Sequence, residues 1–274
     1  DEMYIQGMSS SLPEDVQVAF YKTIPGLENL RITRPAYAIE YDCIDPQDLK
    51  LNLETRYIEN LFCAGQFNGS SGYEEAAAQG LMAGINAHLK CNGNKEFVLS
   101  RNEAYIGVLI DDLITKGVDE PYRMFTSRAE YRILLRQDNA DARLTARCYE
   151  LGLVDEYRMN LLHYKQSGEE MLTEVLRNTT VRTEVNSYLS QMGYGELQHG
   201  TKLIDLVARP NVTINGLAEV VPTLKAAIDK LERIADEIVE SAEINIKYKG
   251  YIEREKLAAD KLRRLDNIRL PKDF

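Results

Sequence analysis

The residues best suited to chemistry in this sequence form a glycine-rich turn that runs into a helical stretch. Gly65, Gly69 and Gly72 follow a short apolar run at 61–64, and an alanine-rich segment begins directly after them. Free backbone amides and the positive end of a helix dipole meet at such a junction, which suits phosphates, carboxylates and electron-rich ring atoms. The spacing is not that of the G-x-G-x-x-G dinucleotide motif. The pattern alone is therefore equally compatible with an ordinary tight turn.

A second candidate site is the arginine-rich stretch between residues 121 and 148. It holds six arginines and three acidic residues, a local charge of +3 in a chain of net charge -10. Ser127 and Glu130 form a capping-box pattern, which predicts a helix from about Arg128. Arginines at four-residue spacing would share one face of that helix and suit phosphates, or they would form salt bridges that dock it. The candidates for phosphate contact are Arg123, Arg128, Arg132 and Arg136.

The elements around the glycine turn predict a strand, loop and helix unit. Residues 61–64 indicate a buried strand, and the capping box of Ser71 and Glu74 predicts a helix that begins near Gly72. Gly80 and Gly84 recur at four-residue spacing, which would leave one helix face bare for packing against a sheet. Residues rich in β-formers between 30 and 44 predict further strands. Residues 1–95 are therefore predicted to be α/β.

From residue 96 onward the pattern is helical. Residues 101–116 predict a helix that ends at Gly117. A narrow apolar seam from Leu224 to Ala242 indicates coiled-coil-like packing and changes phase near Gly250, where one helix kinks or two meet. Lys247 and Lys249 alternate with tyrosines, a pattern that suits RNA or a partner. The predicted fold class is α/β followed by all-α, in two domains, 1–95 and 96–274.

Composition narrows the class of protein. The chain has 274 residues, 28% of them charged, and no apolar run long enough to span a bilayer. Four scattered cysteines without a C-x-x-C pair, and only three histidines, disfavour disulfide and metal sites and indicate a reducing, cytoplasmic compartment. The acidic net charge argues against general polyanion binding, so any nucleic acid must meet a local basic patch.

Three segments resemble one known family. Ala64-Gly-Gln-Phe-Asn-Gly-Ser-Ser-Gly-Tyr-Glu-Glu-Ala-Ala-Ala-Gln-Gly80 resembles the late FAD-binding motif of the glucose-inhibited division protein A family, flavoenzymes that modify the wobble uridine of tRNA. The block from Tyr122 to Arg132 and the segment from Lys247 to Ile252 also resemble that family. The resemblance implies the tail part of a Rossmann-like FAD-binding domain followed by a helical domain for tRNA and a partner, incomplete at its C-terminus.

What the family does supplies further expectations. FAD would be the cofactor, with NADH and methylenetetrahydrofolate used by the full-length enzyme. Its partners would be tRNA, the GTPase MnmE and a second copy of the protein. The resemblance implies that FAD is contacted first by Gln66, beside an open concavity, and then by Gly65, Asn68, Gly69, Gly72, Tyr73 and Glu74. The family's catalytic cysteines lie in motifs absent here, so we expect no catalytic residue and no metal ligand in this chain, weak FAD binding and no turnover.

Three alternatives remain open at this point. The folate- and FAD-dependent tRNA 5-methyluridine methyltransferase shares the flavin domain but typically lacks the long helical extension. A non-catalytic module that docks tRNA or a partner would use the same basic residues. A disulfide or nicotinamide reductase is disfavoured because the sequence has no C-x-x-C pair.

Overall fold

Helices make up most of the regular structure. A computed structural model of the chain describes residues 2–37 and 39–266, with side chains as far as residue 264. Its helices are α1 (Glu14–Tyr21), α2 (Tyr73–Cys91), α3 (Tyr105–Lys116), α4 (Ala140–Glu150), α5 (Glu156–Asn178), α6 (Asn186–Gln191), α7 (Leu203–Val207), α8 (Ile214–Ala218), α9 (Pro222–Ile228), α10 (Ala235–Lys247) and α11 (Lys249–Asp266). Strands β1 (Thr180–Val181) and β2 (Thr201–Lys202) form a short antiparallel pair. Among these helices, none is long and apolar enough to cross a membrane.

The first third of the chain has no regular strand within residues 2–37 and 39–95. The strands predicted at 30–44 and 61–64 are therefore wrong, and only isolated bridges join Leu49 to Thr55 and Glu54 to Phe62. A strand needs a neighbour to receive its backbone hydrogen bonds. The described residues offer none, so the α/β part of the predicted fold class does not form a sheet here.

Exposed apolar side chains concentrate in the same third. Of the 24 large apolar side chains that are exposed in the described residues, 16 precede residue 82. Met3, Tyr37 and Tyr57 are each more than 70% exposed. Single exposed apolar residues are ordinary, whereas a contiguous patch of them is typical of an interaction surface.

Two apolar cores organise the rest of the described chain. The first joins α2 and α3 to residues 49–64 and continues past residue 95 through Phe97 and Leu99. The second is built by α5 to α10. The prediction of one continuous seam from Leu224 to Ala242 is wrong, because α9 and α10 are separate helices with a break at 229–234. The predicted change near Gly250 is confirmed: α10 and α11 meet at Tyr248.

The chain between α3 and α4 links these cores to α11. The helix α3 ends at Lys116 and Gly117 follows with a φ of 69°, as the sequence predicts. Ile252 and Ala259 of α11 pack against Tyr131 and Leu134 in the arginine-rich stretch. This contact places the last described helix beside that stretch. The final eight residues of the predicted second domain lie outside the described residues.

Two glycines inside helices test this packing. A methyl group added at Gly107 of α3 would collide with the backbone carbonyls of Leu99 and Ser100, whereas one added at Gly84 of α2 would meet open space. We expect Gly107→Ala to lower the free energy of unfolding by about 2 kcal/mol or more, because the backbone must move. We expect Gly84→Ala to raise it by about 1 kcal/mol, the difference in helix propensity. Urea denaturation followed by circular dichroism measures both. A destabilised Gly84→Ala variant would contradict the open face seen for α2.

Candidate functional site

The side chain of Gln79 fills the interior of the glycine turn. Gly65–Asn68 forms one turn of 3-10 helix, and the backbone then reverses at Gly69 with a φ of 79°, which glycine adopts without strain. Gln79 of α2 is fully buried. Its Oε1 accepts hydrogen bonds from the Gly65 amide (2.9 Å) and from Asn68 Nδ2 (3.0 Å), and its Nε2 donates to Ser70 Oγ (2.8 Å). The turn is therefore folded around a polar side chain of the helix it precedes.

The helix α2 begins without a side-chain cap. Gly72 is the N-cap residue, and no side chain accepts a hydrogen bond from the first turn. The helix starts where the sequence predicts, but the predicted capping box of Ser71 and Glu74 is wrong, because the cap position falls on a residue that has no side chain. Amides at a helix N-terminus without such an acceptor remain available to a ligand.

A buried carboxylate lies directly beneath this N-terminus. Glu75 is 6% exposed, and its Oε1 accepts a hydrogen bond from the Met124 amide (2.8 Å). That amide, with smaller contributions from the backbone amide of Glu75 itself and from Arg123, keeps the pKa of Glu75 below its usual value despite burial. Glu75 Oε2 has no hydrogen-bond partner among the described residues. A methyl group at Gly72 would collide with this oxygen. The glycine and the carboxylate therefore require each other.

The residues predicted to contact the flavin differ in their exposure to solvent. Gly65, Asn68, Gly69 and Gly72 are buried, Gln66 is half-buried, and Tyr73 and Glu74 are exposed. Asn68 uses its amide nitrogen on Gln79, while its Oδ1 has no partner among the described residues. Two surface cavities of about 340 and 290 Å³ lie beside Gly84 and beside Tyr164. The concavity expected next to Gln66 is neither of these.

The arginine-rich stretch is not a helix with arginines on one face. Thr126–Arg128 is a single 3-10 turn and no α-helix begins between Gly117 and Ala140, so the helix predicted from Arg128 is wrong. Arg136 pairs with Asp138 (2.9 Å) and hydrogen-bonds Asn245 (3.2 Å), so its side chain is committed to packing. Arg128 and Arg132 are exposed, and the Arg128 guanidinium stacks over the Tyr122 ring at 4.3 Å.

A buried network fixes this stretch to α3. Asp112 is 1% exposed and accepts hydrogen bonds from Arg101 (2.7 Å), Lys116 (2.6 Å) and the Tyr122 hydroxyl (2.7 Å). Burial raises the pKa of Asp112, but these three donors outweigh it and leave that pKa lowered. Arg101 also pairs with Glu130 (2.7 Å). The arginine-rich stretch is thus held at Tyr122 and at Glu130 by charged groups outside it.

The basic residues predicted near Gly250 lie where α10 gives way to α11. Lys247 pairs with Glu243 (2.7 Å), and Lys249 is exposed. The rings of Tyr248 and Tyr251 are 6.2 Å apart, and both are about half exposed. The Arg254 guanidinium lies over one face of the Tyr251 ring at 4.7 Å, whereas Lys249 and Tyr248 are exposed.

Sequence reasoning missed Gln79, Glu75, Asp112 and Arg101. A signal for the first two exists: the buried face of α2 carries Glu75, Gln79, Met82, Asn86 and Leu89, at the three- and four-residue spacing of a core stripe. Polar residues in such a stripe indicate buried hydrogen bonds, because an unpaired polar group in a core is costly. We found no comparable signal for Asp112 and Arg101.

Replacing Gln79 tests whether the turn depends on it. Gln79→Leu keeps the volume but leaves the Gly65 amide and Asn68 Nδ2 without an acceptor inside the core. We expect the free energy of unfolding to fall by about 2–4 kcal/mol, since each stranded group costs roughly 1–3 kcal/mol. Chemical denaturation gives the value. Gln66→Leu, at a half-buried position whose side chain makes no hydrogen bond within the described residues, is the matched control and should change stability by less than about 0.5 kcal/mol. Equal effects of the two substitutions would contradict the assignment.

Two family profiles and relatives of known name match this chain. Residues 1–95 match the family profile "Glucose inhibited division protein A", and residues 156–256 match "tRNA modifying enzyme MnmG/GidA C-terminal helical domain". Proteins named tRNA uridine 5-carboxymethylaminomethyl modification enzyme MnmG are 54% identical in Parabacteroides distasonis and 53% identical in Porphyromonas gingivalis. They align with 100% and 99% of this chain, which spans 44% of the length of each relative.

Solved structures agree with the sequence matches. Aquifex aeolicus GidA in its form II crystal superposes with a TM-score of 0.76 at 42% identity, over 97% of this chain and 41% of that one. The form I crystal gives a TM-score of 0.73 at 43% identity, over 96% and 40% of the two chains. The two profiles, the identity along the whole chain and the shared fold agree. This chain belongs to the glucose-inhibited division protein A (MnmG/GidA) family.

Proposed function

We propose that this chain is part of a FAD-dependent enzyme that adds the 5-carboxymethylaminomethyl group, or a related aminomethyl group, to the wobble uridine of tRNA. The observation that carries the proposal is identity of 54% along the whole chain to relatives named for that modification. The match to the helical-domain profile favours this function over the 5-methyluridine methyltransferase, which typically lacks that extension.

Within the enzyme, residues 1–95 would complete a Rossmann-like flavin domain and residues 96–274 would form the helical domain that faces tRNA and a partner. The exposed apolar side chains of the first third support this division, because they need a covering surface. The relatives are more than twice as long as this chain. The additional length in such a protein would supply the neighbouring strands, the rest of the flavin pocket and the catalytic residues.

The residues at the start of α2 fit a flavin. Two observations support the fit: the uncapped N-terminus of α2, and two buried acceptors that have no partner within the described residues, Asn68 Oδ1 and Glu75 Oε2. When bound, FAD would supply the redox chemistry of the reaction. Gln66 and the amides that follow Gly72 would orient it, as oriented dipoles hold an electron-rich ring. The proposed contacts are Gly65, Gln66, Asn68, Gly69, Gly72, Tyr73 and Glu74.

For tRNA we propose an exposed basic surface formed by Arg128, Arg132 and Lys249. Arginine forks suit phosphate oxygens, and the neighbouring Tyr248 and Tyr251 offer faces on which bases stack. Arg136 and Lys247 are each paired with a carboxylate, so they would lie beside this surface without contacting phosphate directly. NADH and methylenetetrahydrofolate as further reactants, the GTPase MnmE and a second copy as partners, and a cytoplasmic location complete the proposal.

Salt dependence tests the tRNA surface. We expect the logarithm of the affinity of this chain for tRNA to fall linearly with the logarithm of salt concentration. Arg132→Gln should weaken binding and reduce the slope by about one, the value for one lost phosphate contact. The matched control is Arg177→Gln, at an exposed arginine of α5, which should keep the wild-type slope. Salt-insensitive binding would contradict the proposal and favour a module that docks a protein.

Nucleoside analysis tests the activity. The full-length protein that contains this chain should restore 5-carboxymethylaminomethyluridine, or its aminomethyl relative, to tRNA in a bacterial host that lacks its own enzyme. Liquid chromatography with mass spectrometry detects the nucleoside. The chain alone should restore none and should retain no yellow flavin through gel filtration. Accumulation of 5-methyluridine instead would overturn the proposed reaction.

A further inference from the structure

Arg123 belongs to the arginine-rich stretch, where the sequence predicts contact with phosphates. We infer that Arg123 serves the flavin instead: held by Glu75 at the N-terminus of α2, its guanidinium faces the electron-rich edge of the bound isoalloxazine ring and favours the reduced, anionic form. This inference rests on the proposed flavin site. It assigns to one arginine a role different from that of its neighbours Arg128 and Arg132.

Both chain neighbours of Arg123 are hydrogen-bonded through their amides, one to the glycine turn and the other to α2. The Tyr122 amide donates a hydrogen bond to the Gly69 carbonyl (2.8 Å), and the Met124 amide donates to Glu75 Oε1 (2.8 Å). Gly69 and Glu75 lie on either side of the junction at which the glycine turn becomes α2. The backbone of Arg123 is therefore fixed at this junction and cannot move with the rest of the arginine-rich stretch.

The side chain of Arg123 points toward the same place. Its Nε lies 3.6 Å from Glu75 Oε1. A methyl group added at Gly72 would lie 2.8 Å from an Arg123 guanidinium nitrogen and would collide with Glu75 Oε2. Guanidinium, carboxylate and the N-cap of α2 thus converge on the backbone of Gly72. The nearly buried Glu75 Oε2, which has no hydrogen-bond partner among the described residues, points into this convergence.

Arg123 retains the capacity to bind a ligand there. Its side chain is 52% exposed, although Glu75 is 6% exposed. The only ion pair described for Arg123 within residues 2–264 is the one with Glu75, at 3.6 Å, which is longer than a charge-assisted hydrogen bond. Most of its five N–H donors are therefore available. Arg128, in contrast, lies over the Tyr122 ring.

The charges at this junction favour a negative ligand. Glu75 and Arg123 balance each other, the uncapped α2 terminus adds partial positive charge, and the Glu74 carboxylate in the same turn is exposed and screened by solvent. A hydride from NADH, the proposed reductant, would bring FAD two electrons and one proton and so give the anionic hydroquinone, whose charge spreads over the ring. A guanidinium and helix amides stabilise that form more than the neutral oxidised ring, so they raise the reduction potential of the bound flavin.

Flavin redox measurements on the full-length protein that contains this chain test the inference. The ratio of the dissociation constant of reduced FAD to that of oxidised FAD should rise about tenfold in Arg123→Gln, the loss of one charge-assisted hydrogen bond. The midpoint potential, measured by dithionite titration against a reference dye, should fall accordingly. The midpoint potential should fall less in Arg123→Lys, which keeps the charge, and should equal the wild-type value in Arg177→Gln. Arg123→Gln should keep the wild-type salt slope for tRNA, unlike Arg132→Gln.

The outcomes separate this inference from the function on which it rests. If FAD binds to the wild type and to Arg123→Gln with the same potential, the inference is overturned while the proposed flavin site stands. A reduced salt slope together with an unchanged potential would return Arg123 to the RNA surface. If Arg123→Gln does not fold, Arg123→Lys provides the test. A midpoint potential lower than that of the wild type supports the inference, and an unchanged or higher one overturns it. A wild-type full-length protein that binds no FAD would overturn both the inference and the proposed function.

Discussion

Buried polar side chains must find hydrogen-bond partners within the protein. This constraint attaches both the glycine turn and the arginine-rich stretch to α2. Gln79 draws in the glycine turn through Gly65, Asn68 and Ser70. Glu75, one helical turn earlier, draws in the arginine-rich stretch through the Met124 amide. One helix face thus holds two loops, and both loops meet at the N-terminus of that helix. The arrangement makes the two sites neighbours.

Regular helices were predictable because their signals are local. The start of α2 near Gly72 and the end of α3 at Gly117 follow from glycine positions and apolar spacing. The helix predicted from Arg128 fails for a tertiary reason: Tyr122, Ala129 and Leu134 are buried in three different clusters, so the backbone bends to place each of them. The Arg101 and Asp112 network was not predictable, since its members become neighbours only after folding.

The absence of regular strands before residue 96 in the described ranges also has a physical cause. Sequences rich in β-formers need a neighbouring strand, and isolated segments of this kind expose their side chains, as Tyr37, Ile39 and Tyr41 do. The same third of the chain belongs by profile to a family whose members here are more than twice as long. Candidate site residues are affected in the same way: Gln66, Tyr73 and Glu74 are placed by the turn and helix, but no cavity described for this chain encloses them.

The central claim is that the N-terminus of α2 faces a flavin. Hydrogen–deuterium exchange of the full-length protein, compared with and without FAD, measures this directly at the amides concerned. Our account predicts slower exchange on FAD binding in the peptides that cover residues 65–76, where the turn and the uncapped helix terminus lie. Unchanged exchange in those peptides, with protection confined to other parts of the protein, would contradict it.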